Sequence, residues 1–176
     1  MGDHHATILS ARMGIQNTIQ SDCAPLNGIT TALINSGVRV KAMRDVTRGG
    51  LATVLNEFAE ASHCCITLEE EHIPVNPQVR GLCGILGLDP LVMGNEGKLV
   101  AVVHKEDAQK ALDCIKSSPY GEHATVIGTV AAQPAETVLL RTKSVEPVSF
   151  LHSTAKDCRA FVKTESTIRK ARLIDG

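Results

Sequence analysis

Aromatic side chains are nearly missing from the 176 residues: three Phe, one Tyr and no Trp, 2% of the chain. Base-stacking platforms and aromatic interface anchors need such rings, so a single-strand nucleic-acid binder is excluded. An excess of one charge sign is missing too. The 18 Lys and Arg stand against 19 Asp and Glu, a formal net charge of -1, so no global field draws nucleic acid or anionic lipid to the molecule. No apolar run approaches the roughly 20 residues of a membrane span. The start, MGDHHATILSARMG, lacks the basic and then apolar character of a signal peptide, so a cytoplasmic protein is expected. The six cysteines, at 23, 64, 65, 83, 114 and 158, include no C-x-x-C pair, which argues against a zinc site. A chain of this length does not need disulfide staples, so reduced thiols and no metal are expected.

What is present is 43% hydrophobic and 21% charged, enough for one ordinary core. ATILS (6 to 10) alternates weakly and reads as a short strand, and Ile29, Leu33 and Ile34 carry helical spacing over Asn27 to Asn35. Val38, Val40 and Ala42 alternate with polar or long residues, as in a half-buried strand. From Leu51, the set Leu51, Val54, Leu55 and Phe58 forms one helical stripe to about Ala61. CCITLEE (64 to 70) reads as a strand. NPQVRGLCGILG (76 to 87) reads as a helix with Asn76 as N-cap, Pro77 at its first position and Gly87 as terminator. KLVAVVH (98 to 104) is short and apolar enough for a central strand. Lys105 to Ser117 is amphipathic, with Glu106 and Asp107 in its first turn favouring the positive helix end. ATVIGTV (124 to 130) and TVLLRT (137 to 142) suggest two further strands. Together they predict an α+β domain, helices in one layer packed on a mixed or antiparallel sheet, over residues 1 to 150. Residues 151 to 176, with six Lys or Arg against three Asp or Glu and no sustained apolar stripe, read as a divergent basic tail.

Several short stretches carry chemistry. RDVTRGGL (44 to 51) offers a strand end, two glycines and a helix start, a geometry that turns backbone N–H groups toward an anion, with Arg48 and Arg44 as added donors and Asp45 to orient an arginine or a water. The plainer reading is a tight turn in which Gly49 and Gly50 supply unusual dihedrals and Asp45 pairs with Arg44 or Arg48. NEGK places Glu96 and Lys98 either side of a glycine, where a carboxylate in a cleft is tuned for proton transfer, or where an exposed pair has little consequence. GDHH (2 to 5) puts Asp3, His4 and His5 before the first strand, a metal cluster only with help from elsewhere and otherwise a polar turn. In SDCAPL (21 to 26), Ser21 or Asp22 caps the following helix and Cys23 is a buried thiol at a turn. Cys64 and Cys65 are small core residues at a strand start.

In order along the chain, GDHH with ATILSAR, SDCAPL, AMRDVTRGGLATVLNE, IPV, LGLDPL and NEGKLVAVV closely resemble the C-terminal half of the HypE family of hydrogenase maturation factors. Those proteins belong with aminoimidazole ribonucleotide (AIR) synthetase, selenophosphate synthetase and thiamine-monophosphate kinase. The resemblance covers residues 2 to 142 and implies an AIR synthetase C-terminal domain-like fold. It also implies an ATP-dependent dehydration, in which a carbamoyl group on a C-terminal cysteine becomes a thiocyanate, the source of cyanide for nickel-iron hydrogenase. Carried over, Glu96 is the proton-handling carboxylate, while Arg48, Gly49 and Gly50, with Asp45 and His4, line the phosphate side of the cleft. His5 stands where the family's turn has glycine. ATP and magnesium belong mostly to an N-terminal half that this chain lacks, so none is expected for the chain alone. The family's terminal Pro-Arg-Ile-Cys is not matched by Leu173-Ile174-Asp175-Gly176. The resemblance therefore implies half of a dehydratase, inactive in isolation, with the carbamoyltransferase HypF, the HypC–HypD scaffold and a second copy as partners. The competing expectations are a non-catalytic docking module for those maturation proteins and a relative acting on purine intermediates.

Overall fold

The computed structural model describes residues 1–142 in full and, beyond them, the backbone of two strands at 158–162 and 168–173. The elements run α1 (Asp3–Met13), α2 (Asn27–Asn35), β1 (Val40–Asp45), α3 (Gly50–Ala61), β2 (Cys65–Glu69), α4 (Pro77–Leu86), β3 (Leu99–Val103), α5 (Ala108–Lys116), β4 (Gly128–Ala131), β5 (Thr137–Arg141), β6 (Cys158–Val162) and β7 (Ile168–Leu173). A five-stranded mixed sheet has the order β4-β2-β5-β7-β6, with β2 and β5 parallel and the other pairs antiparallel. A separate antiparallel ribbon joins β1 and β3. This is the α+β arrangement of helices on a mixed sheet that the sequence predicts. The other residues beyond 142, and all side chains there, lie outside the described part, and with them most of the expected basic tail and the Cys158 thiol.

Three clusters hold the layers together. The predicted stripe of α3 packs Leu51, Val54 and Leu55 onto Ile66 and Leu68 of β2 and Val138 and Leu140 of β5. Each such aliphatic side chain removed from water stabilises the fold by about 1.5–3 kcal/mol. Ala6 of α1 meets Val79, Leu82 and Cys83 of α4 together with Met93, and Leu33, Val38 and Ala111 fasten α2 and α5 beneath the β1–β3 ribbon.

The local signals of α4 were sufficient: Asn76 accepts from Gln78 N, Pro77 stands in the first turn, and Gly87 closes the helix at φ 67°. Elsewhere the structure corrects the sequence. ATILS is no strand but part of α1, whose buried positions Ala6 and Ser10 are one helical turn apart. The Ser10 hydroxyl donates to Ala6 O at 2.8 Å, which lets a polar side chain occupy the buried face and hides the helical pattern. GDHH is therefore the first turn of a helix, not a turn before a strand. β3 is not central among the described strands, since β1 is its sole partner. At α5, Glu106 and Asp107 form a short 3-10 turn ahead of the α-helix and bind the Arg39 guanidinium, at 2.9 and 2.6 Å, instead of entering its first turn.

Candidate functional site

Where β1 and β3 end, three loops meet. The ribbon's pairing continues past its last register pair, Asp45 with Leu99: Val46 N donates to Lys98 O at 2.8 Å and Asn95 N to Val46 O at 3.1 Å. The RDVTRGG bend and the NEGK turn are thus one continuous structure. Asn95, fully buried, is their central fastener. Its amide nitrogen donates to Val46 O and Met93 O, both at 3.1 Å, and its amide oxygen accepts from Gly2 N at 2.8 Å. Both amide N–H donors and the amide oxygen thus have a partner, as burial demands.

The bend itself depends on glycine. Gly49 precedes α3 at φ 76°, and Gly50 begins it at φ 64°. A Cβ on Gly50 would lie 2.4 Å from Leu91 O and 2.7 Å from Met93 O, so the 91–93 segment rests directly on the helix start. Arg48 is exposed there. Asp45, at the end of β1, is exposed as well. Among the described residues, neither these two side chains nor that of Glu96 takes part in any hydrogen bond or ion pair. The internal Asp45–arginine pair considered from the sequence is therefore not formed. Arg44 turns instead to Glu57 on α3.

Lys98 has no bond to Glu96 either. Its Nζ lies 2.7 Å from Asp3 Oδ2 and 2.6 Å from Asp22 Oδ2, with all three side chains at most a quarter exposed. Asp22 Oδ1 in turn accepts from His4 N at 3.1 Å and from Glu96 N at 3.3 Å. His4 Nδ1 is 2.9 Å from Ser21 Oγ, and His5 N donates to Gly94 O at 3.3 Å. Hence Ser21 and Asp22 do not cap α2, whose start at Leu26 has no side-chain cap, and Cys23 beside them is exposed, not buried. The expectation for the paired cysteines holds: Cys65 is buried and Cys64 half-buried.

Burial pushes the Asp22 carboxyl up, but the Lys98 ammonium and the Glu96 N–H more than offset this, so its value lies below the ordinary 3.8. A carboxyl lowered by folding contributes stability above its unfolded value and loses it as pH falls through the folded one. Asp22→Asn keeps the shape and removes the charge. It is expected to cost about 1–2 kcal/mol at pH 7 in urea unfolding. The gap to the unmutated chain should narrow as pH falls below the ordinary carboxylate range and the native carboxyl is itself neutralised.

Sequence reading thus singled out Arg48, Gly49, Gly50, Asp45, His4 and Glu96, and the structure gathers the segments that bear them at one end of the β1–β3 ribbon. It missed Asn95, Asp22 and the true partners of Lys98. A small cavity of about 40 Å³, lined by Glu70, Ile73, Arg80, Asp89 and Leu91 among others, includes none of the selected residues. A nucleotide needs several hundred Å³. What the gathered segments present is an open surface, with one unpaired guanidinium beside a helix start and one unpaired carboxylate on a fastened turn. Such a surface supplies charge for a phosphate and a proton acceptor, but only one wall of a cleft.

Residues 1–141 match the model for the AIR synthase related protein, C-terminal domain. The chain is 44% identical over 144 residues to the carbamoyl dehydratase HypE of Rhodobacter capsulatus, covering 81% of this chain and 42% of that protein. A crystal structure of the hydrogenase maturation protein HypE in complex with ATP is similar with a TM-score of 0.76 and 42% identity, over 81% of this chain and 45% of that one. A HypE–HypF complex is similar with a TM-score of 0.76 and 35% identity, over 99% of this chain and 50% of the other. The chain spans about two-fifths of the length of the curated relative.

Proposed function

This chain belongs to the AIR synthase related proteins, as their C-terminal domain, and from that premise we propose that it is the C-terminal half of a HypE-type carbamoyl dehydratase. The observation that carries the reading is the fastening of the RDVTRGG bend to the NEGK turn, which sets Arg48 and Glu96 on one end of the β1–β3 ribbon. The substrate is a carbamoyl group on a cysteine thiol. ATP, which a HypE relative binds in its crystal structure, phosphorylates the carbamoyl oxygen. The nitrogen gives up its two protons, the C–O bond breaks, and phosphate leaves behind an S-bound nitrile.

In that sequence this chain's own residues hold two positions. Glu96 accepts a proton from the carbamoyl nitrogen, and its freedom from other partners leaves both oxygens available. Arg48 presents its fork of donors to the departing phosphate, with the N-terminal end of α3 adding a favourable dipole. Gly49 and Gly50 set the bend, Asp45 flanks it, and His4 holds the Ser21 loop. The missing wall, and magnesium with it, come from a second polypeptide segment. Among the described residues no group of three or more His, Cys, Asp or Glu side chains comes together.

The partners of this reading are HypF, which a HypE relative joins in a solved complex, then the HypC–HypD scaffold and a second copy of the chain. Its compartment is the cytoplasm; no helix among the described residues is long and apolar enough to cross a membrane. The test is reconstitution. Purified chain alone is expected to leave ATP untouched. Mixing in an intact N-terminal half and a carbamoylated cysteine-ended peptide should yield ATP hydrolysis, with loss of one water mass from the peptide. Turnover by the chain alone, or none from the complete mixture, contradicts the proposal. Retention of HypF by the chain, without turnover in the mixture, would favour a docking module.

A further inference from the structure

Asp22 and Lys98 lie outside the roles assigned above, yet they are the groups through which Glu96 is held. Asp22 Oδ1 accepts from the Glu96 N–H at 3.3 Å, and its Oδ2 is 2.6 Å from the Lys98 ammonium, two residues beyond Glu96. The Asp22 carbonyl presses on the residue between them: a Cβ on Gly97 would sit 1.6 Å from Asp22 O. The same carboxylate binds the His4 N–H at 3.1 Å, and Lys98 binds Asp3 at 2.7 Å, so the first turn of α1 is tied to the same point. The Asp22 carboxylate thus ties its own loop to two others, the first turn of α1 and the NEGK turn, and in the latter it holds both the Glu96 N–H and Lys98.

We infer that Asp22 and Lys98 are positioning residues for Glu96: the Asp22–Lys98–Asp3 cluster fixes the turn that presents the Glu96 carboxylate and holds fixed charges next to that residue. This inference rests on reading Glu96 as the proton acceptor. Lys98 does not serve as a phosphate ligand, because two carboxylates already neutralise it. The charged and titratable groups around the turn are Asp3, His4 and His5 on α1, Asp22 in its loop, Lys98, and Asp45 and Arg48 flanking the bend. The Met1 amine, 3.4 Å from Asp3, completes the set. Removing Lys98 leaves Asp3 and Asp22 unbalanced near Glu96. Removing the Asp22 charge leaves Lys98 facing Asp3 alone.

The test is a carbon-13 carboxyl NMR titration of Glu96 in this chain, with Glu96→Gln used to assign the signal. In Lys98→Gln the midpoint is expected to move to higher pH, and in Asp22→Asn to lower pH, each by roughly 0.3–0.5 units. A merely structural role would move both midpoints in the same direction, toward that of a disordered glutamate, and midpoints moving together or not at all overturn the inference. Lys98→Arg, which keeps the charge, should restore the original midpoint. Should either variant fail to fold by circular dichroism, Asp3→Asn leaves the Asp22–Lys98 contact in place and must still lower the midpoint. In the reconstituted mixture, Asp22→Ala should lower kcat tenfold or more with the KM for ATP unchanged. If Glu96→Gln keeps full turnover there, the reading of Glu96 has failed. If Glu96→Gln is inactive while the midpoints do not respond, only the present inference has.

Discussion

Gly97→Ala is expected to destabilise the chain by about 3 kcal/mol or more, among the largest effects of any single methyl group added to it. The cause is contact, not backbone conformation. The new Cβ would lie 1.6 Å from Asp22 O, 2.8 Å from Asp22 C and 2.9 Å from Ala24 N, all main-chain atoms that no side-chain rotation can move away. Overlap on that scale forces the 21–24 loop off the NEGK turn, and with it go the Asp22 bonds to Lys98, to Glu96 N and to His4 N. The loss is thus steric first and electrostatic second. Urea unfolding measures the total. Amide exchange separates the parts, since the protection of Glu96 and His4 should fall before that of α3. Gly121→Ala is the comparison: its Cβ would meet Ile115 O at 1.8 Å, a similar clash at the end of α5. It should lower stability comparably while leaving the exchange of Glu96 unchanged. A Gly97→Ala chain as stable as the original would mean that the two loops do not touch as described.

That clash also marks the limit of what the sequence discloses. Elements with local causes were readable. The caps of α4 lie within its own twelve residues, and the apolar stripe of α3 is continuous from Leu51. α1 was not readable, because its buried face includes Ser10, satisfied by a bond to Ala6 O that only a formed helix provides. The same holds at the site. The glycine bend and Glu96 announced themselves by residue type, and resemblance to a family attached roles to them. The fastening did not announce itself, because its bonds span long stretches of chain: 95 residues from Lys98 to Asp3, 76 to Asp22, and 93 from Asn95 to Gly2. Asp22 looked like a helix cap because Asp before a helix usually is one. Its side chain turned instead to the partly buried ammonium of Lys98, a stronger partner than the N–H groups of a solvated helix start. Lys98 looked like a partner for Glu96 because the two are close in sequence. Residues two apart on an extended chain point to opposite faces only when the backbone is irregular, and at Gly97 the chain turns.

Glu96→Gln is expected to abolish most of the turnover in the reconstituted mixture, a fall in kcat of about 10²–10⁴, with folding stability within about 0.5 kcal/mol of the original. The two halves of that expectation come from the same geometry. Glu96 is exposed and its side chain has no bond or ion pair among the described residues, so the amide replaces nothing structural. Its backbone N–H, bound by Asp22, is untouched, so the turn stays where it is. What the amide cannot do is take a proton from the carbamoyl nitrogen, a step the ground-state complex does not need. Binding of ATP should therefore be unaffected, and the loss should fall on kcat with KM unchanged. Glu96→Asp, shorter by one methylene, should recover part of the rate, since the base is restored but withdrawn from the nitrogen. Single-turnover assays following the carbamoyl peptide by mass, beside urea unfolding of each variant, measure both quantities. A Glu96→Gln chain that is stable and fully active would return Glu96 to the exposed charge of little consequence that its sequence position equally allows, and the dehydration would then need its base from the other half.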